Sequence, residues 1–93
     1  MPVGLLTLEI HIPEARSLKD RRQVVRSLKD RLRARFNVAV AELDEQPTWQ
    51  RAQIGIVTVS NDGAHIEQSL RAVLEEADEL LGRELVGHDF ELL

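Results

Sequence analysis

The sequence predicts an α+β domain whose elements follow in the order β-α-β-β-α-β. Apolar residues alternate at period two near both ends of the chain and twice in its middle, which predicts four strands. Two longer segments repeat apolar residues at helical spacing, and short polar or proline-containing segments separate the elements. A length of 93 residues predicts a single domain, which spans residues 1–93. A chain of this length buries about 60–65% of its unfolded surface, which suffices for one modest core.

The first strand is predicted near residues 3–12, where every second position is apolar. Pro13 ends it, because proline cannot serve a central ladder. Ser17 is the predicted N-cap of a helix near 17–35, since Asp20 follows three residues later. The expected apolar stripe of this helix is Leu18, Val25, Leu28 and Leu32.

The second and third strands are predicted near 36–44 and 51–60, with Val38 and Val40 of the second directed inward. The near-continuous apolar character of the third agrees with a central position in the sheet. Trp49 lies between a polar loop and the third strand. We expect it to cover the end of the sheet, or alternatively to anchor a partner.

The second helix is predicted near 61–82, because the short polar oxygens of Ser60-Asn61-Asp62 accept first-turn amides. The fourth strand follows near 84–92. Two interleaved right-handed crossovers in this order form a ferredoxin-like β-α-β-β-α-β sandwich, a four-stranded antiparallel sheet with two helices on one face. The first and third strands are then central, and the second and fourth are at the edges.

Composition argues against several classes of protein. The chain has no cysteine, which excludes a disulfide framework and a cysteine-built zinc site. It has no long apolar run and no basic segment followed by an apolar signal core, so we expect a cytoplasmic protein without membrane contact. His11, His65 and His88 lie on different predicted elements, so we expect no metal and no cofactor. No nucleophile motif or Gly-rich phosphate loop is present, and the prediction is a protein that is not an enzyme.

Charge is distributed unevenly along the chain. The formal net charge is −4, but residues 16–35 hold nine of the twelve basic residues and two of the sixteen acidic ones. This segment therefore carries +7, and the remainder carries −11. A strongly basic element in an otherwise acidic chain is typical of a protein that meets a polyanion.

The cations of the first helix fall on one face. Their 3-4-3-4 spacing confines them to about 80° of the helix circumference over about 21 Å. This ridge consists of Lys19, Arg22, Arg26, Lys29 and Arg33, and Arg16 extends it from the preceding turn. It predicts contact with the phosphates of RNA, free or in the ribosome. Alternatively, these cations form a solvated face that pairs with neighbouring acids.

The strand order is also that of RNA-recognition domains, which stack bases on aromatic residues of the two central strands. Aromatic residues make up 3% of this chain, and none falls on the predicted open face of those strands. Base stacking on the sheet is therefore not expected. If RNA binds, the helix and its charge bind it.

The face of the sheet that the helices leave open is largely apolar. Apolar patches beyond a few hundred Å² usually mark an interface. The residues predicted to form a homo-oligomer interface there are Leu5, Thr7, Ala39, Val57 and Val59. Use of this face for a protein partner, a second copy or a small ligand is the alternative function.

Five segments resemble one known family, the YlxP-like bacterial proteins. They are residues 3–13 (VGLLTLEIHIP), 17–22 (SLKDRR), 35–42 (RFNVAVAE), 49–52 (WQRA) and 59–62 (VSND). The resemblance implies a small cytoplasmic protein with a ferredoxin-like fold and no established catalytic residues. Members are often encoded beside translation factors, including ribosome-binding factor A, which implies a role near the ribosome or RNA.

Overall fold

The computed structural model describes residues 2–44, 48 and 50–93. The described elements follow the predicted order, and the predicted role of Trp49 lies outside the described residues. The elements are strand β1 (Val3–His11), helix α1 (Leu18–Arg35), strand β2 (Ala39–Glu42), strand β3 (Arg51–Val59), helix α2 (Gly63–Leu81), a 3-10 turn (Gly82–Glu84) and strand β4 (Leu85–Leu92).

The four strands form one antiparallel sheet in the order β2-β3-β1-β4. Leu6 of β1 lies opposite Ile56 of β3 and Phe90 of β4, and Val40 of β2 lies opposite Ile56 on its other side. The central strands are therefore β1 and β3, and the edges are β2 and β4. The ferredoxin-like architecture predicted from the sequence is confirmed.

The core lies between the two helices and one face of the sheet. Alternate residues of β1 and β3 enter it, because side chains of a strand point to opposite faces in turn. The largest fully buried side chains are Leu6, Leu8, Ile10, Val25, Leu28, Leu32, Ile54, Ile56, Ile66, Leu70 and Val73. Gly4 lets α2 approach β1 closely, since a Cβ at that position would collide with Ile66 and lie 2.8 Å from Leu70.

The helix starts are capped as predicted. Ser17 Oγ accepts a hydrogen bond from the Asp20 amide at 3.2 Å, and the Asp20 carboxylate accepts one from the Arg16 amide at 2.8 Å. At the second helix, Asp62 Oδ1 accepts from the Ala64 amide at 3.0 Å. These side-chain oxygens accept hydrogen bonds from backbone amides at the helix start, which have no partner within the helix.

Strand β2 is shorter than the prediction of 36–44, because it pairs with β3 only from Ala39 to Glu42. After α1 the chain is already extended, but the Asn37 carbonyl accepts the Thr58 hydroxyl instead of a ladder amide. Beyond Glu42 one more backbone bond forms, from the Leu43 amide to the Gln53 carbonyl at 2.8 Å. The predicted inward direction of Val40 is confirmed by its burial.

The prediction that Leu18 belongs to the buried stripe of α1 is wrong, since 47% of its surface is exposed. Leu18 is the first residue of the helix. The first turn of α1 instead buries Arg21, in line with Val25, Leu28 and Leu32. None of the helices in the described part of the chain is long and apolar enough to cross a bilayer.

Candidate nucleic-acid interface

Helix α1 presents cations on both flanks of its buried stripe. One flank faces α2, where Arg31 Nε and Arg35 Nη1 lie 2.9 and 3.0 Å from the carboxylate of Glu76. The other flank faces the edge strand β2 and carries the predicted ridge. The two flanks differ in their contacts, because the first is an ion-paired contact between helices and the second leaves its N-terminal cations in solvent.

The N-terminal half of the ridge is exposed. Lys19, Arg22 and Arg26 are exposed side chains, and so is Arg16 before the helix. Within the described residues, none of these four cations has an acidic group within ion-pair distance. Their charge is therefore directed into solvent over the first half of α1.

The C-terminal half of the ridge is engaged with β2. Lys29 Nζ lies 3.9 Å from Glu42 Oε1, and Arg33 Nη2 donates a hydrogen bond to the Val40 carbonyl at 2.8 Å. The Val40 carbonyl points away from β3, because the Leu43 amide bonds to Gln53 and alternate residues of an antiparallel strand face the partner. Arg33 thus covers one polar group of the exposed β2 edge. All five ridge cations lie on one face, as predicted, but Lys29 and Arg33 also have partners inside the protein.

Arg21 holds this arrangement in place and was not predicted as a functional residue. Its Nε donates to the Arg51 carbonyl at 2.9 Å, Nη1 to Glu42 at 2.9 Å and Nη2 to Asp44 at 2.8 Å. Only 5% of Arg21 is exposed. The sequence contains a signal for it, because Arg21 lies four residues before Val25 on the buried stripe. A cation in that position needs acids opposite it.

The Arg21 cluster joins three elements. Asp44 also accepts a hydrogen bond from the Gln53 amide at 2.9 Å, so α1, the end of β2 and the start of β3 share one polar network. A guanidinium that donates to three acceptors fixes the position of its own helix turn. The neighbouring cation Arg22 is therefore presented from a turn with a defined orientation.

The predicted oligomer interface is brought together on the open face. Ala39, Val57 and Leu5 form one row across three strands. Thr7 lies in the next row, opposite Gly55, and Val59 lies in the row on the other side. Ala39 and Val59 are exposed, whereas the others are half-buried. Leu43 partly covers this face, since a Cβ at Gly55 would lie 3.0 Å from it.

A shallow cavity of about 650 Å³ adjoins this face near the far end of β1. Its polar lining includes His11, Arg51 and Asp44, together with Glu9 and Gln53, which bond to each other at 2.8 Å. His65 and His88 lie on other elements, in α2 and β4. Among residues 2–44, 48 and 50–93, no cluster of three metal-ligating side chains forms.

The described aromatic side chains lie away from the open face. Phe36 packs against the core after α1, and Phe90 is on the helix side of β4, opposite Leu6. The central strands therefore carry no stacking platform of the kind used by RNA-recognition domains.

Comparison with known proteins shows a match over nearly the whole chain. Residues 3–89 match the family model DUF503, described as a protein of unknown function. The uncharacterized protein YlxP of Bacillus subtilis (strain 168) is 37% identical over 76 residues, which cover 82% of this chain and 83% of that protein.

Solved structures show the fold alone. A de novo designed protein with a ferredoxin fold has a TM-score of 0.55 at 9% identity, over 100% of this chain and 83% of the design. SnoaB, a cofactor-independent oxygenase from Streptomyces nogalater, has a TM-score of 0.54 at 14% identity, over 99% of this chain and 90% of that chain. Sequence identities this low indicate shared architecture and carry no residue-level function.

Proposed function

We propose that this chain, which belongs to the DUF503 family, is a non-enzymatic RNA-binding module that holds phosphates along the exposed flank of α1. The observation that carries the proposal is the set of four exposed cations, Arg16, Lys19, Arg22 and Arg26. They have no acidic partner among the described residues, although the chain carries a net charge of −4. Excess positive charge on one helix face attracts a phosphate backbone and releases its counterions.

The internal contacts of α1 support this function. The cations that are needed to hold the fold have dedicated acceptors: Arg21 in the buried network, and Arg31 and Arg35 on Glu76. The exposed cations have no such structural task. The separation of the two sets supports a role in binding for the second set.

Backbone contact without base readout also fits the rest of the surface. The open face of β1 and β3 has no described aromatic side chain on which a base would stack. We therefore expect affinity that depends strongly on salt and weakly on RNA sequence.

The test is the affinity for fluorescein-labelled single-stranded RNA, measured by anisotropy over a salt series. Lys19→Glu, Arg22→Glu and Arg26→Glu combined should abolish measurable binding. Single substitutions of these three cations to Ala should each remove one phosphate contact. Each lost contact should reduce the slope of log K against log salt by about 0.7. Cosedimentation with ribosomes should be lost in the same triple variant.

A charge-matched control separates the ridge from net charge. Arg51→Glu, Arg71→Glu and Arg83→Glu combined reverse three cations outside α1, so both triple variants move the formal charge from −4 to −10. The control should retain most of the affinity. Equal losses in the two variants, or wild-type binding that is insensitive to salt, would contradict the proposal.

A second candidate function is homodimerisation through the open face. It is supported by the row of Ala39, Val57 and Leu5, an uncharged patch across β2, β3 and β1 that two identical copies can cover, with Glu91 of β4 at its margin. Val57→Glu should shift a dimer to the monomer in sedimentation velocity, with Gln68→Glu on the exposed side of α2 as the control. A wild type that stays monomeric at high concentration excludes this candidate and leaves the RNA proposal unaffected.

A further inference from the structure

The outer edge of β4 has unpaired backbone groups over most of its length. The Leu93 amide and carbonyl bond to Val3 at 2.7 and 3.2 Å, so alternate residues from Leu93 backwards face β1. The residues between them direct their backbone groups away from the sheet. These are His88, Phe90 and Leu92. No other described strand lies beyond β4.

The same three residues place their side chains on the helix side of the sheet, beside α2. Phe90 and His88 line a cavity of about 190 Å³ together with Leu70 and Leu74. A second cavity, of about 340 Å³, continues past Leu74 to Val86. Phe90, Leu92 and Val86 are 39%, 54% and 60% exposed. A partly apolar groove therefore runs along the free edge of β4.

Acidic side chains lie on both faces of the sheet along the β4 edge. Asp89 and Glu91 are exposed on the opposite face of β4, and Glu75 and Asp78 line the groove from α2. One cation, Arg71, lies among them and pairs with Glu67 at 2.9 Å. An incoming strand therefore meets an apolar groove with an acidic border on the helix side, and the carboxylates of Asp89 and Glu91 on the open face.

We propose that the β4 edge binds an extended peptide in which basic and apolar residues alternate, by addition as a fifth strand. Main-chain bonds to His88, Phe90 and Leu92 supply affinity, and the two side-chain faces supply specificity. The apolar residues of the peptide pack beside Phe90 and Leu74. Its basic residues lie next to Asp89 and Glu91.

Charge argues for a basic peptide rather than a second copy of β4. Two copies of β4 would pair antiparallel about a two-fold axis. If that axis passes through residue 89, 90 or 91, acidic side chains of the open face lie directly opposite each other and repel. A register centred on His88 brings Val86, the extra residue of a β-bulge, into the ladder. A peptide that carries lysine at alternate positions meets neither obstacle.

The test uses a fluorescein-labelled peptide of eight residues in which lysine and valine alternate. Fluorescence anisotropy should detect binding of this peptide to the wild-type protein. His88→Pro removes an outward amide without touching a bond to β1, and it should weaken binding at least tenfold. His88→Ala loses the same side chain but keeps the amide, so it should bind at least tenfold more tightly than His88→Pro.

Two further measurements keep the result interpretable if His88→Pro loses stability. Asp89→Lys with Glu91→Lys should also weaken binding at least tenfold, because these exposed side chains face the lysines of the peptide. A peptide of the same composition with four lysines followed by four valines should bind at least tenfold more weakly than the alternating one. Equal binding of the two peptides would overturn the proposal, since simple charge attraction would then account for it.

The proposal is independent of RNA binding. The triple variant Lys19→Glu, Arg22→Glu and Arg26→Glu should bind the peptide as wild type does. A wild type that dimerises without peptide, with the dimer lost in His88→Pro, would overturn the proposal by making a second copy the occupant of the edge.

Discussion

The two edges of the sheet are built differently. Strand β2 has four residues, and Arg33 covers the outward carbonyl of Val40. Strand β4 has eight residues, and the structure places no described side chain as a hydrogen-bond partner of its outward backbone groups. Natural sheets usually shorten, charge or cover an edge that must not pair with another chain. The β2 edge is both shortened and covered, whereas the β4 edge keeps its length and carries acidic side chains and a β-bulge.

Charge follows the same division. The β2 edge lies beside the cations of α1, and the β4 edge lies beside the acids of α2 and of β4 itself. A net charge of −4 therefore describes neither side of the molecule. The difference predicts partners of opposite charge: a phosphate backbone on the α1 side and a basic strand on the β4 side.

Among substitutions on the β2 side of the sheet, Arg21→Met should have the largest effect on stability. The substitution leaves Glu42, Asp44 and the Arg51 carbonyl without their shared donor, which should lower the free energy of unfolding by about 2–3 kcal/mol. Urea denaturation measures this loss. Hydrogen exchange should accelerate in β2 before β4, because the cluster holds the end of β2.

Arg22→Met is the matched control. It removes the neighbouring cation, which is exposed and has no described partner, and it should change stability by less than about 0.5 kcal/mol. If the two variants lose equal stability, the buried network does not hold the β2 side.

A smaller effect is expected from Arg33→Ala, which uncovers the Val40 carbonyl. The loss of one partly exposed hydrogen bond should cost about 0.5–1 kcal/mol. Because the β2 edge is then open, light scattering on prolonged incubation should also rise. Arg26→Ala, two turns earlier on the same ridge, should leave both stability and scattering unchanged. Increased scattering in Arg26→Ala alone would contradict the role given to Arg33.

The smallest effect is expected from Lys29→Ala. The Lys29 to Glu42 distance of 3.9 Å belongs to a partly exposed ion pair, and such pairs contribute about 0–1 kcal/mol. Stability should therefore be nearly unchanged in urea denaturation, while RNA affinity should fall less than in Arg26→Ala. A larger fall in affinity for Lys29→Ala would move the centre of the binding surface toward β2.

Part of the difference between the α1 side and the β4 side could be predicted from the sequence pattern. The 3-4-3-4 spacing placed Lys19, Arg22 and Arg26 on one face, and period-two alternation defined the two faces of β1 and β3. The short β2 was not predictable, because its start depends on a tertiary bond between Thr58 and Asn37. The burial of Arg21 depends likewise on acids that lie 21 and 23 residues away in sequence. Local patterns carry no information about such pairs.

The α1 flank should bind phosphates and the β4 edge should not, because the first is cationic and the second is acidic. Amide chemical shifts of the ¹⁵N-labelled protein during titration with single-stranded RNA test it residue by residue. We expect shifts concentrated from Arg16 to Arg26, with those of His88, Phe90 and Leu92 unchanged. Shifts centred on β4 or the open face, with the first half of α1 unchanged, would contradict it.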